Sequence, residues 1–155
     1  INDAIRAAVK GGQTEVVKIL IQAKTDMNED INWVISLVLQ NALQNALQNE
    51  NAGILKVLIE AGLNVTEVGK WYIKSVAEKG NVEILELLIK AGTDVTADNN
   101  DAIKYAAERG HAEIVKMLLT AGADATAGNN YAIRAAARKG HNEVVNILLG
   151  AGARF

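Results

Sequence analysis

The sequence predicts an all-α solenoid of five stacked helix-turn-helix repeats. Three observations carry this: a self-similar period of 30 residues, helical spacing of the apolar residues within each period, and glycine at fixed places between them. Ile5 and Ile35 are one period apart, as are Ile73 and Ile103, and Ile103 and Ile133. Between Ile35 and Ile73 the spacing is 38, an excess of eight. The excess lies in the run LQNALQNALQNE at residues 39–50, because removing residues 42–49 restores the period. The chain therefore reads as a single domain of five repeats, 1–30, 31–68 with an eight-residue insertion at about 42–49, 69–98, 99–128 and 129–155.

Each repeat has the same grammar. An Ala-rich segment such as AIRAAARKG precedes a turn, then an apolar segment such as EVVNILL runs to Ala-Gly. Ile133, Ala136 and Ala137, then Val144, Ile147 and Leu148, follow the i, i+3, i+4 spacing of a helix face. Neither segment is long enough to hold a helix alone, so stacking must supply the stability. Only 4% of the residues are aromatic, and small Ala side chains let neighbouring helices approach closely.

Punctuation falls to Asn and Gly, since the chain has no Pro. Asn2, Asn32, Asn100 and Asn130 share the position before each first helix and are expected N-caps, with Asp3 and Asp101 able to serve one residue later. Gly62, Gly92, Gly122 and Gly152 follow the second helices, where a left-handed C-cap suits a residue without Cβ. Glu15, Glu83, Glu113 and Glu143 fall in the first turns of the second helices, at the positive dipole end.

The pattern AIKYAAERGHAEIVKMLLTAGAD, with Gly110-His111, Gly140-His141 and Gly122-Ala123-Asp124, is similar to the ankyrin repeat. The Asn-Xaa-Ala-Ile start replaces the family's Thr-Pro-Leu-His, and the period of 30 is shorter than usual. The Pro-free form resembles ankyrin repeats of giant DNA viruses. The resemblance implies a concave surface of first helices and hairpins, a convex back of second helices, and a protein-binding role. The shortened period predicts a clipped β-finger or a plain turn between repeats.

Composition excludes several functions. Without Cys there is no disulfide, thiolate metal site or Cys nucleophile. His111 and His141, the only histidines, lack the companions of a zinc site and are read as ties between adjacent turns. No nucleophile, phosphate loop or metal motif is present, so neither enzyme activity nor a cofactor is expected. A net charge of −2 offers no footprint for nucleic acid, and no apolar run is long enough for a membrane span. The chain is expected to be intracellular, in the cytoplasm, and monomeric.

The candidate partner-binding residues are Trp33, Trp71, Asp101, Tyr131, Arg6, Lys74, Lys104, Tyr105, Glu108, Arg134 and Arg138. Five of the six aromatic residues, Trp33, Trp71, Tyr72, Tyr105 and Tyr131, lie in first-helix segments. Exposed Trp and Tyr serve as interface anchors, and equally they can pack on a neighbouring turn. Tyr72, at the family's Pro position, is read as structural. First-helix windows hold ten basic and four acidic residues, +6 against −8 elsewhere. Part of that excess complements helix dipoles, but Arg6, Lys74, Lys104 and Arg134 sit mid-helix and favour an acidic partner. Two readings of origin stay open, a natural protein-binding module and an engineered repeat scaffold without a natural partner, because the LQNA duplication fits either. The insertion either lengthens only the first helix of the second pair or adds about one turn to each helix; the second is preferred, since four residues turn about 400° and keep the face in phase.

Overall fold

The computed structural model describes residues 15, 18, 19 and 44–155. The chain divides into two units between Val65 and Thr66. Arg6 and Trp33, and the repeat boundaries before residue 44, lie outside the described residues.

In the first unit, residues 44–48 are helical, and helix α1 (Ala52–Glu60) follows. Ala46 and Leu47 are buried, as are Ile54, Leu55 and Leu58 of α1. Asn51 caps α1, its Oδ1 accepting from the Ile54 N–H at 3.0 Å. Glu50 precedes it with φ 54°, a left-handed residue where later repeats place glycine.

The second unit begins with α2 (Thr66–Lys79) and α3 (Val82–Lys90), then α4 (Ala97–Arg109), α5 (Ala112–Thr120), α6 (Ala127–Lys139) and α7 (Asn142–Gly150). Among the described residues there is no strand. First helices α2, α4 and α6 lie side by side in one layer, and second helices α3, α5 and α7 in another. The core is the seam between layers. Ile84, Leu85 and Leu88 of α3 are fully buried, with Ile73, Val76 and Ala77 of α2 opposite them in the pair. The same positions recur as Ile103, Ala106 and Ala107, then Ile114, Val115 and Leu118. Each buried Leu or Ile contributes about 1.5–3 kcal/mol relative to exposure. The first-helix layer packs closer because its contact positions are Ala, such as Ala102, Ala106, Ala132 and Ala136.

Two expectations about the chain's punctuation are corrected. The second helix of repeat two is not lengthened: α1 has 9 residues, as have α3, α5 and α7. Its ends are fixed by the Asn51 cap and by left-handed Gly62, so the extra residues lie before it. Those of them in residues 44–48 are helical.

The second correction concerns the asparagines. Asp98, Asn99 and Asn100 have φ of 52°, 58° and 62°, and Gly128, Asn129 and Asn130 have 61°, 56° and 58°. Each trio forms a left-handed turn in place of a β-finger. Asn, Asp and Gly are the residues that tolerate this conformation. Asn100 therefore does not cap its own helix. Its Oδ1 accepts from the Asp124 N–H at 2.7 Å, 24 residues on, and Asn130 accepts likewise from Arg154 N–H at 3.1 Å. Asp124 in turn accepts from Thr126, through N–H at 2.8 Å and Oγ1–H at 2.7 Å. Repeat three has Lys70 instead of Asn, and α2 begins as an ordinary right-handed helix at Thr66. There Gly69 is buried against Thr93: a Cβ on it would stand 2.5 Å from Thr93 Oγ1.

The glycines after the second helices behave as expected. Gly62, Gly92, Gly122 and Gly152 all have φ between 80° and 101°. The N–H one residue later closes the helix end, as Ala123 N–H does on the Leu118 carbonyl at 2.9 Å.

Candidate partner-binding surface

The first-helix layer gathers the candidate residues of repeats three to five. Their Cβ direction follows from helix register: positions 71, 101 and 131 start the outer stripe, and 74, 104 and 134 lie one turn on; of these six, Trp71 and Arg134 are exposed and the rest half-buried. Trp71, Lys74, Asp101, Lys104, Tyr105, Glu108, Tyr131, Arg134 and Arg138 all stand on α2, α4 and α6.

Many of them are paired across the repeat joints. Lys74 Nζ lies 4.1 Å from the centre of the Tyr105 ring and 3.6 Å from Asp101 Oδ2. Hydrogen bonding to Tyr105, with the Asp101 carboxylate beside it, holds the Lys74 ammonium above its usual range. Asp101 also receives Lys104 Nζ at 3.4 Å, within its own helix. Lys104 is only 12% exposed, because the left-handed turn at Gly128 covers it. Tyr131 donates its hydroxyl to Glu108 Oε2 at 3.0 Å. That bond raises the phenol above its ordinary value, and nearby Arg138 opposes the rise. At the far end of the helices Arg109 Nη2 meets Glu78 Oε1 at 2.6 Å. The Glu78–Arg109 pair was not among the candidate residues. Its signal in the sequence is an acid and a base 31 positions apart, one repeat plus one residue.

Two candidates remain outspread. Trp71 is 79% exposed although it is the largest side chain of α2. Arg134 is exposed and makes no hydrogen bond or ion pair among the described residues. Arg138 and Lys139 are exposed on the same helix, which carries no acid. Tyr72 is half-buried.

Around the turns, the histidines tie one repeat to the next. His111 Nε2–H donates to the Glu78 carbonyl at 2.9 Å, and His141 to the Glu108 carbonyl at 3.1 Å. A carbonyl only accepts, so the proton sits on Nε2. Asn51 and Asn81, at the corresponding position, cap their own helices instead. Among the described residues no group of three His, Cys, Asp or Glu side chains gathers to hold a metal ion. No helix there is long and apolar enough to cross a membrane.

Paired helices in two layers, joined by tight turns and tied repeat to repeat, define a helical repeat protein whose surface side chains vary on a constant frame. Residues 73–155, more than half of the chain, match the family model for ankyrin repeats in three copies, and the chain belongs to the ankyrin-repeat family. Ankyrin repeats are generally modules for interaction between proteins. A search of the curated proteins finds no match.

Proposed function

We propose that this chain binds another protein through its first-helix and turn surface, as a monomeric, intracellular, non-catalytic module. Trp71 is the observation that carries the reading. A tryptophan left 79% exposed gains most from being covered, and such residues dominate binding energy at interfaces. Tyr105, Tyr131, Asp101 and Glu108 extend the contact surface along the layer. Lys74 supports it by fixing the Tyr105 ring, and Lys74 and Lys104 together hold Asp101. The exposed cations of α6, led by Arg134 and Arg138, favour an acidic surface on the partner.

The test is an affinity capture from cell extract with the parent chain, Trp71→Ala, and Lys116→Ala on the second-helix layer. A protein retained by the parent and by Lys116→Ala but lost with Trp71→Ala supports the reading. Retention by Trp71→Ala sinks it. Because Trp71 is exposed, its removal is expected to shift stability by no more than about 0.5 kcal/mol, so loss of capture reports binding.

A second reading, a repeat scaffold without a natural partner, is favoured by the regular LQNA duplication at residues 39–50. It predicts that no extract yields a protein sensitive to Trp71→Ala.

A further inference from the structure

Opposite charges close on each other over most of the first-helix layer. In repeats three and four, Lys70 meets Glu67 at 2.8 Å, Lys74 and Lys104 share Asp101, and Arg109 meets Glu78. Glu108 is taken by the Tyr131 hydroxyl. Outside these pairs, repeats three and four expose the large apolar face of Trp71 and, in the left-handed turn, the carboxylate of Asp98. On α6 the situation reverses. Arg134, Arg138 and Lys139 are exposed, and no acidic residue occurs in Ala127–Lys139. The surface therefore has two ends of different chemistry with a neutral stretch between.

We infer that the partner presents an extended peptide segment with a large apolar residue at one end and a cluster of carboxylates five or six residues away. The inference rests on the proposed use of this surface and adds the partner's chemistry and spacing. Helices α2, α4 and α6 are consecutive neighbours, and packed helices stand about 8–10 Å apart. Trp71 on α2 is thus roughly 16–20 Å from the cations of α6. An extended chain covers that distance in about five or six residues at 3.3 Å each. The apolar residue covers Trp71, and the carboxylates accept from the guanidinium groups of Arg134 and Arg138, whose fork of N–H groups suits bidentate donation. Repeat four acts as a spacer, since a charge placed over it would have to displace Asp101 or Lys74 from a partner already made.

The test is selection of a random 16-residue peptide library displayed on phage against the whole chain, followed by measurement of the enriched peptides in solution. The expected peptides carry an aromatic or large aliphatic residue and at least two acids about five or six residues apart. Their affinity falls about tenfold or more with Trp71→Ala and with Arg134→Glu/Arg138→Glu, and it weakens as salt rises. Peptides with Lys in place of the acids then bind the Arg134→Glu/Arg138→Glu variant better than the parent, which separates charge recognition from misfolding. Enriched peptides that depend on Trp71 but show no acidic cluster at that spacing overturn this inference and leave the binding surface standing. Peptides indifferent to every first-helix substitution, or no enrichment, overturn both.

Discussion

His111 donates from Nε2 to the carbonyl of Glu78, 33 residues earlier, across a distance of 2.9 Å. The ring that makes this bond occupies the space above Gly80, where a Cβ would come within 2.8 Å of it. The next joint repeats the arrangement with His141, Glu108 and Gly110. Glycine here answers two demands at once, a φ near 80° and room for a neighbour's imidazole.

The two demands separate by substitution. Gly110→Ala and Gly140→Ala face the same backbone penalty of about 1–2 kcal/mol, since both positions are left-handed. Only at Gly110 does the new methyl meet a ring, at 2.6 Å from His141 Nδ1, while at Gly140 nothing lies within 4 Å. Urea denaturation is expected to show the larger loss for Gly110→Ala. Equal losses would mean that the ring yields without cost.

The asparagine turns give a second comparison. Asn100→Ala forfeits the bond to Asp124 N–H and forces Ala to φ 62°, with an expected loss of about 2–3 kcal/mol. Asn100→Gly keeps the conformation and loses only the bond, about 1 kcal/mol. If the two variants melt together, conformation contributes nothing at this turn.

Gly69 and Thr93 form a coupled pair in repeat three. Thr93 Oγ1 is buried without a hydrogen-bond partner, while Ala123 and Ala153 fill the same position in later repeats. Thr93→Ala is expected to leave stability within about 1 kcal/mol of the parent or above it. Gly69→Ala alone overpacks Thr93 and costs about 1–3 kcal/mol. In the Thr93→Ala background that cost should shrink to the tight contact with Leu88 Cδ2 at 3.3 Å, which Ala's better helix propensity offsets. A double-mutant cycle with additive effects would refute the contact.

Titration supplies a fourth test. Hydrogen bonds from the Thr126 side chain and backbone hold the Asp124 carboxyl below its ordinary 3.8, and Thr96 does the same for Asp94. A depressed folded value means that these bonds stabilise the fold above pH 3.8 and are lost as pH falls through the lower value. Tyr131 runs the other way. Its value is raised above 10.0 by Glu108, so its contribution is present below that pH and is lost as pH rises through the raised value. NMR titration should find Asp124 rising in Thr126→Val and Tyr131 falling in Glu108→Gln. Unmoved values would show that neither bond persists in solution.

The repeat frame was legible because buried positions recur: Ile73, Ile103 and Ile133 are each almost fully buried, one period apart. The glycine caps were legible for the same reason. The role of Asn100 was not, because a polar residue before a helix looks like a cap whether its acceptor faces 3 residues on or 24. The doubled Asn99-Asn100 and Asn129-Asn130 were the available signal, since consecutive asparagines suit a left-handed turn. The extra residues of repeat two were placed wrongly for a related reason. Helical phase permits a turn to be added to either helix, and only the Asn51 cap decides between them. On the candidate surface, the aromatic positions could be read from the period. That Lys74 and Lys104 are engaged by Asp101 could not, since pairing depends on which side of each helix faces the next repeat.

The three-residue left-handed turns reverse the usual map of what a lineage is free to change. Connections ordinarily drift while interiors are held. Here the interior positions are filled by aliphatic side chains of which a range of similar volumes would serve. The connections, by contrast, accept little beyond asparagine, aspartate and glycine at Asp98, Asn99, Asn100, Gly128, Asn129 and Asn130. Wherever an array keeps these left-handed turns, as at residues 98–100 and 128–130 but not at 68–70, sequence divergence should therefore be slowest in stretches that a conventional reading would discard as linkers.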